Sequence, residues 1–270
     1  MTIDRYLYEE MKWPEIKEVV KENRIVILPV ATLEDHGPHL PIITDVAITN
    51  KISQEAARRI PDSVVLLPIQ THGYSPHHMD FPGPITIKGQ TFIDYMLDII
   101  RSLVHHGFNR ILLVNGHGSN SPWLETVVRL GIIEFPHTLC GTVNWWAIPE
   151  LAEDIKKTRG SERGGMSHAG ELETSLMLAI RPDLVDMSKA VKDINYPTSK
   201  YFPRGDFYYP VGPVRMMRYW SATSKTGIRG DPTLATKEKG ERWLEAAVNG
   251  LCGIIKDFKG LKILERVDHH

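Results

Sequence analysis

Apolar residues fill nearly every position in four short runs of the chain. Runs of this kind are typical of strands that are covered on both faces, as in a parallel sheet. The four predicted strands span residues 24–30, 63–69, 110–115 and 138–146. Because each run is short and lacks alternation, we expect both faces of the sheet to be buried.

Segments with helical spacing of apolar residues lie between and after these runs. In 91–108, for example, apolar side chains recur every three or four positions, which indicates an amphipathic helix. The predicted helices span 11–23, 45–60, 91–108, 121–135, 171–179 and 237–258. The alternation of strands and helices predicts the α/β class, a layered α/β/α sandwich with a mostly parallel sheet. The 270 residues suffice for one large domain, and we expect a single domain over 1–270.

The periodic pattern is lost between residues 187 and 232. Aromatic residues, prolines and glycines cluster there, most densely in "NYPTSKYFPRGDFYYPVGP". Such a segment is either an ordered loop that covers a pocket or an oligomer interface. We do not expect it to be a separate domain.

Composition and charge narrow the class of protein. The formal net charge is −1, which predicts no nucleic-acid partner and no attraction to anionic membranes. The sequence contains no apolar window of about 18 residues and no apolar leader, so we expect no membrane partner and no signal peptide. The two cysteines, Cys140 and Cys252, lie far apart, which fits a reducing cytoplasm better than a disulfide framework.

Polar side chains with metal-binding capacity follow the predicted strands. In a parallel sheet, ligands bind at the carboxyl ends of the strands, so clusters that follow different strands can meet there. The stretch "LEDHGPHLPIITD" follows the first strand, "NGHG" follows the third, and "SHAGELETS" opens a helix. The candidate residues in these stretches are Glu34, His36, Asp45, His117, His168 and Glu171.

The spacing of these residues favours a shared site. Glu34 and His36 are two apart in an extended segment, so their side chains point to the same side. His168 and Glu171 are three apart, and on a helix they would share a face. Glu173 would lie off that face and is not expected to be a ligand.

The donor set contains nitrogen and oxygen but no sulfur, which suits Zn, Mn, Fe or Co more than a structural zinc site. Two divalent metal ions are the simpler interpretation, because one catalytic zinc takes fewer than five protein ligands. The five expected ligands are Glu34, His36, Asp45, His117 and Glu171. The carboxylate of Asp45 can bridge two cations, which a histidine cannot do.

Other side chains are candidates for substrate binding. Of Trp145 and Trp146, one is expected to line the pocket and the other to face the core or an interface; our candidates are His78 and Trp145. Three arginines, Arg204, Arg215 and Arg218, could meet a carboxylate or phosphate of a substrate. His39 is expected to support a ligand or to pack.

Three motifs in the right order carry a resemblance to a known family. "LPVATLEDHGPHLPIITD", "LVNGHGSN" and "HAGELETSLMLAIRPDLV" resemble the creatininase (creatinine amidohydrolase) family, and the similarity runs from about residue 25 to 241. The resemblance implies a layered α/β fold and a metal-dependent hydrolase of non-peptide or cyclic C–N amide bonds. It also implies a homo-oligomer, since family members are often hexamers.

Residue by residue, the resemblance implies metal ligation by Glu34, His36, Asp45 and His117, with Asp45 as the bridge. It implies that His168 is the catalytic acid/base.

The sequence departs from creatininase at two places. Creatininase has a glutamate two residues after the "NGH" histidine, where this chain has Ser119, and Glu171 is the expected replacement. Creatininase also has a tryptophan that covers the substrate shortly before the catalytic histidine, where this chain has Gly164 and Gly165. The second departure argues against creatinine as the substrate and predicts a pocket that is more open there, with 196–219 as its lid or wall.

The sequence therefore predicts an amidohydrolase that cleaves a cyclic amide or a formamide with a metal-bridging hydroxide. One alternative is a peptidase-like member of the same family, of the mycofactocin-maturation type. The other is a catalytically silent relative whose metal ions only stabilise the fold.

Overall fold

A four-stranded sheet forms the centre of the computed structural model, which describes residues 5–194, 198–209 and 212–270. The strands are β1 (Ile25–Val30), β2 (Val64–Leu66), β3 (Arg110–Asn115) and β4 (Leu139–Asn144). All three strand pairs are parallel, and the strand order is β2-β1-β3-β4.

Seven α-helices surround this sheet in the described part of the chain. They are α1 (Trp13–Lys21), α2 (Thr44–Arg59), α3 (Gly89–His105), α4 (Ser121–Glu134), α5 (Pro149–Thr158), α6 (Glu171–Ile180) and α7 (Lys237–Gly260). Among the described residues, no helix is both long and apolar enough to cross a membrane.

The helices form a layer on each face of the sheet, and β1 shows why. Ile25 and Ile27 belong to one core, which α2, α5, α6 and α7 cover. Val26 and Leu28 point the other way, into a second core that α1, α3 and α4 cover. Successive strand residues face opposite sides, so a fully apolar strand requires cover on both faces. The structure thus confirms the predicted α/β sandwich with a parallel sheet.

Two elements differ from the sequence-based prediction. Strand β2 ends at Leu66 rather than near residue 69. After Leu67 the regular ladder shifts by one residue, because Gln70, and not Ile69, donates its amide to the carbonyl of Pro29. The chain rejoins β1 at the isolated Val30–Gln70 bridge. Helix α5 had no predicted counterpart. It buries only Leu151 and Ile155, too few apolar residues to stand out in a short charged segment.

The strand order creates a crevice at the carboxyl ends of β1 and β3. The chain leaves β1 through α2 toward β2 on one side, while β3 pairs with the opposite side of β1. Loops that diverge in this way leave an opening above the strands, where ligands bind in open α/β sheets. The last paired residues of the two strands, Val30 and Asn115, are direct neighbours.

A close approach of the backbone holds the two sides of the crevice together. The amide of Gly116 donates a hydrogen bond to the carbonyl of Val30, at 2.8 Å. A Cβ at position 116 would overlap the side chain of Thr49 on α2. Glycine therefore lets the turn after β3 pack directly against the helix that carries Asp45.

Helix α7 packs against α6 through a second close contact, which yields a stability test. A Cβ on Gly240 would overlap the carbonyl oxygen of Ser175. We expect Gly240→Ala to lower the free energy of unfolding by about 1–3 kcal/mol, since overpacking forces backbone shifts. Urea denaturation followed by circular dichroism measures the change.

Gly253 provides the matched control in the same helix. An added Cβ there meets only Glu150 Oε1, at 3.9 Å. Gly253→Ala should therefore leave stability unchanged or raise it by up to about 1 kcal/mol, because alanine is the better helix former. Equal effects of the two substitutions would contradict the close α6–α7 contact.

Candidate metal centre

The loop after β1 carries two buried side chains toward the crevice. The amide of Glu34 donates to the carbonyl of Ile42, at 3.3 Å, which closes the loop on itself. Glu34 and His36 are each 1% exposed. Gly37 follows with a φ of 71°, a left-handed conformation that glycine adopts without strain and that turns the chain away. Both side chains are thereby held at the carboxyl end of the sheet.

Asp45 lies between two histidines that come from different loops. It occupies the first turn of α2 and is 3% exposed. Its Oδ1 is 3.2 Å from His36 Nε2, and its Oδ2 is 3.1 Å from His117 Nδ1. The two carboxylate oxygens thus face two different nitrogen donors.

Two groups of potential ligand atoms share Asp45. The first group is Glu34, Asp45 and His117, and the second is His36, Asp45 and Glu173; in each, the ligand atoms lie within 4.8 Å of one another. Glu34 Oε1 is 3.1 Å from His117 Nδ1, and Glu173 Oε2 is 3.9 Å from His36 Nε2. All five side chains are buried.

Hydrogen bonds to backbone carbonyls set the tautomers of two histidines. His36 Nδ1 lies 3.3 Å from the carbonyl oxygen of Glu34, and His168 Nε2 lies 2.7 Å from that of Asp35. A carbonyl only accepts, so these ring nitrogens carry hydrogen. In the neutral rings, the lone pairs are then on His36 Nε2, toward Asp45, and on His168 Nδ1, 3.6 Å from Glu34 Oε1.

The carboxylates make the cluster a strong attractor of positive charge. Burial lowers the pKa of His36, but Asp45 and Glu173 outweigh it and raise this pKa to about 10. The pKa of His117 is likewise raised to about 10, because Glu34 and Asp45 outweigh burial. Burial, together with the charge of Asp45, raises the pKa of Glu173 to about 7.

Bound divalent cations would fit this cluster. Although His36 Nε2 and Asp45 Oδ2 lie close to charged neighbours, neither has a hydrogen-bond partner of good geometry among the described residues. Buried polar atoms without partners are uncommon and need an explanation. A cation bound between these atoms would be their missing partner. The oxygen and nitrogen donors present are ligands that Zn and Mn take.

Glu171 does not lie with the other predicted ligands. Its carboxylate accepts hydrogen bonds from the amides of Gly160 and Ser161, each at 2.8 Å, and forms an ion pair with Lys239 at 2.6 Å. Glu173, which was not expected to be a ligand, lies beside His36 instead.

The reason for this difference is that His168 precedes the helix and is not part of it. Helix α6 starts at Glu171, while His168 pairs with Arg229 in an extended bridge and Ala169 has a φ of 52°. His168 and Glu171 therefore do not share a helix face. Instead, the amide of Ala169 donates to Glu173 Oε2, at 2.6 Å, and directs that carboxylate inward.

The two substrate-binding candidates have different positions. His78 lines a cavity of about 170 Å³ beside the cluster, and its Nδ1 is 2.5 Å from Asp35 Oδ1. Trp145 does not line this cavity. It is 1% exposed and packs in the core, so its neighbour Trp146 is the tryptophan that faces the cavity.

Trp220 covers the cluster from a direction that the sequence did not reveal. Its ring stacks on His78 at 4.6 Å between centroids and meets His168 edge-on at 4.9 Å. It lies one residue beyond the expected pocket wall, 196–219, whose residues 196–197 and 210–211 lie outside the described part of the chain. No local pattern pairs residue 220 with residues 78 and 168, so only the fold brings them together.

A larger cavity of about 620 Å³ adjoins the first. Segment 198–220, apart from its undescribed residues, supplies much of the lining, including Phe207, Arg215 and Arg218. The described part of this segment thus forms a pocket wall, one of the two alternatives for it. Arg204 does not line the cavity and lies 4.0 Å from Glu162.

The sequence as a whole matches a known family. A sequence model of the creatininase family, described as creatinine amidohydrolase, matches residues 9–255. The chain belongs to this family of hydrolases, as the resemblance of its motifs indicated.

Curated relatives cover most of the chain. It is 30% identical to the creatinine amidohydrolase of Pseudomonas putida over 92% of this chain and 95% of that one. It is 33% identical to a mycofactocin precursor peptide peptidase of Mycolicibacterium smegmatis over 86% and 84% of the two chains. Identity to the 3-dehydro-scyllo-inosose hydrolase of Thermotoga maritima is 27%, over 93% and 82%.

Solved structures agree with the family assignment. A crystal structure of creatininase superposes with a TM-score of 0.79 and 29% identity, covering 94% of this chain and 98% of that chain. A manganese form of creatininase and a Zn–Zn form of a creatininase mutant each superpose with a TM-score of 0.77.

The contrasting surroundings of the two glutamates on α6 generate a test. Glu173→Gln removes a charge that faces His36, so we expect the metal content per protomer to fall. Glu171→Gln weakens the ion pair with Lys239, so we expect a lower melting temperature with unchanged metal content. Elemental analysis and thermal denaturation of both variants measure this. Metal loss in Glu171→Gln alone would show that Glu171, and not Glu173, is the metal ligand.

Proposed function

We propose that the protein is a metal-dependent amidohydrolase that holds two divalent cations. One cation would bind between Glu34, Asp45 and His117, and the other between His36, Asp45 and Glu173. The observation that supports this most directly is the position of Asp45, whose two oxygens face two different histidines at 3.1 and 3.2 Å. A carboxylate that joins two ligand groups is a common feature of two-metal hydrolytic sites.

The donor set is compatible with Zn, Mn or Fe. The existence of manganese and Zn–Zn forms of creatininase supports the first two. When bound, such cations lower the pKa of water toward neutrality and polarise the substrate carbonyl.

We assign the proton transfer to His168. Its Nε2–H is held by the carbonyl of Asp35, so its Nδ1 carries the lone pair, 3.6 Å from Glu34 Oε1. Nδ1 would take a proton from the attacking water and give it to the leaving nitrogen, as a general acid/base does. Trp220 packs edge-on against this ring and excludes water from one side.

The bond that is cleaved is proposed to be a non-peptide C–N bond, in a cyclic amide or a formamide. The cavity next to the cluster measures about 170 Å³, and Trp146, Phe207 and Trp220 bound it. This is less than ordinary ligand pockets enclose, so only a compact acyl end would enter. The buried Trp146 and the half-buried Trp220 offer flat faces that suit a planar amide.

A peptidase activity is the second candidate. The 33% identity to a mycofactocin precursor peptide peptidase supports it, as does the adjoining cavity of about 620 Å³. A catalytically silent relative fits less well, because a site that serves only stability gains nothing from a buried histidine with its lone pair turned toward the ligands.

We also propose the cellular environment, the oligomeric state and the domain organisation of the protein. The described chain has two free cysteines, Cys140 and Cys252, which supports a reducing, cytoplasmic environment. Ile132 and Ile133 on α4 are 53% and 75% exposed, which supports a homo-oligomer. The family match over 9–255 supports a single domain.

Removal of metal provides the first test of the proposed function. The protein should lose turnover of small formamides and lactams after treatment with a chelator, and recover it when Zn or Mn is added back. A panel that includes creatinine, N-formyl compounds and a short peptide compares the two candidate activities. Activity that is indifferent to chelation would refute a metal-dependent mechanism.

The role of Asp45 provides the second test. Asp45→Ala should reduce bound metal from two ions per protomer to fewer than one, because one carboxylate serves both groups. The control is Asp257→Ala, an exposed residue on α7 that should keep both ions. If Asp45→Ala retains two ions in elemental analysis, the shared-ligand assignment is wrong.

A further inference from the structure

The inner and outer cavities are adjacent and share four lining residues. Gly118, Ser119, Ser167 and Phe207 line both the cavity of about 170 Å³ at the cluster and the cavity of about 620 Å³ beyond it. A ligand whose reacting group occupies the inner cavity would therefore extend past Ser119 and Phe207 into the outer one. The outer cavity falls within the range of volumes that small-molecule sites occupy.

The charged groups of the outer cavity are mostly cationic. Arg215, Arg218 and Arg229 line it, and the acidic residue among its lining is Asp206. The carboxylate of Asp206 is already engaged, since it accepts a hydrogen bond from Arg159 at 2.8 Å and another from the amide of Gly164 at 2.9 Å. The side chains that line the cavity therefore carry a net positive charge, although the net charge of the whole chain is −1.

Arg229 links this cationic cavity to the proposed catalytic histidine. Its backbone pairs with that of His168 through two hydrogen bonds, at 2.9 and 3.0 Å. Its guanidinium lies 4.6 Å from the centroid of the Trp220 ring, a cation–π contact that orients the side chain. A positive charge is thus fixed between the reaction site and the outer cavity.

The rest of the lining indicates what kind of molecule the cations would hold. Val214, Met216 and Met217 alternate with the two exposed arginines, and Phe202 lies in the same lining. Flexible apolar side chains beside guanidinium groups suit a ligand with an apolar or aromatic body and an acidic end.

We infer that the substrate is an amide that carries an anionic group, a carboxylate or a phosphate, which Arg215, Arg218 and Arg229 bind in the outer cavity. This inference rests on the proposed function, because it places the scissile bond at the metal centre. Arginine forms paired charge-assisted hydrogen bonds with both anions, so the chemistry of recognition is the same for the two. A small neutral amide would make no use of the charges on Arg215 and Arg218.

Matched substrates test the inference through activity. Three N-formyl compounds of equal length would end in a carboxylate, a phosphate or a neutral carboxamide. For the double variant Arg215→Gln/Arg218→Gln, we expect KM for the anionic substrates to rise on the order of tenfold, with kcat and the neutral substrate unchanged. The larger rise, for carboxylate or for phosphate, identifies the natural anion.

The control removes the same charge elsewhere. Arg129 and Arg266 are exposed and lie outside both cavities, so Arg129→Gln/Arg266→Gln should leave all three KM values unchanged. A rise in KM that is equal for anionic and neutral substrates, or equal in the two double variants, would overturn the inference.

A binding measurement separates this inference from the proposed function. Inorganic phosphate and succinate would be titrated by calorimetry into the metal-loaded protein and both double variants. We expect one of these anions to bind the wild type and the control variant, and to bind the cavity variant on the order of tenfold more weakly. Equal binding to all three proteins would overturn the inference, whatever the activity. Arginine-dependent binding without hydrolysis of any substrate would refute the proposed function alone.

Discussion

The carboxylate of Asp45 has to satisfy partners on two sides, and this requirement organises the structure around it. Its oxygens lie 3.2 Å from His36 Nε2 and 3.1 Å from His117 Nδ1, and those histidines come from the loops after β1 and β3. The loops meet because β1 and β3 are adjacent parallel strands, and α2 brings Asp45 between them because Gly116 leaves room for Thr49. A shift of any of these elements would separate one oxygen from its histidine.

Electrostatics explains why this arrangement calls for bound cations. Glu34, Asp45 and Glu173 are buried within one small volume, and buried carboxylates are costly unless positive charge compensates them. Without cations, the histidines carry that charge, and their raised pKa values reflect it. Divalent cations would supply it instead and leave neutral imidazoles as ligands, which is the form that metals bind.

The sequence was informative where chemistry follows local structure. Four apolar runs and the helical spacing between them predicted the layered parallel sheet, and residues that directly follow β1 and β3 were correctly expected to lie together. The sequence-based prediction was wrong where the local backbone conformation differs from the assumed helix. The left-handed conformation of Ala169 separates His168 from α6, so Glu173, and not Glu171, faces the cluster. No sequence pattern predicted contacts between distant segments, such as those of Trp220 with His78 and His168.

The same antiparallel bridge joins His168, beside the candidate ligands, to Arg229, which lines the outer cavity. The most direct test of the account is anomalous X-ray diffraction from crystals grown with Zn or Mn. Two anomalous peaks about 3.5–4 Å apart are expected, one on each side of the Asp45 carboxylate. A single peak, or two peaks that do not share Asp45, would contradict this expectation.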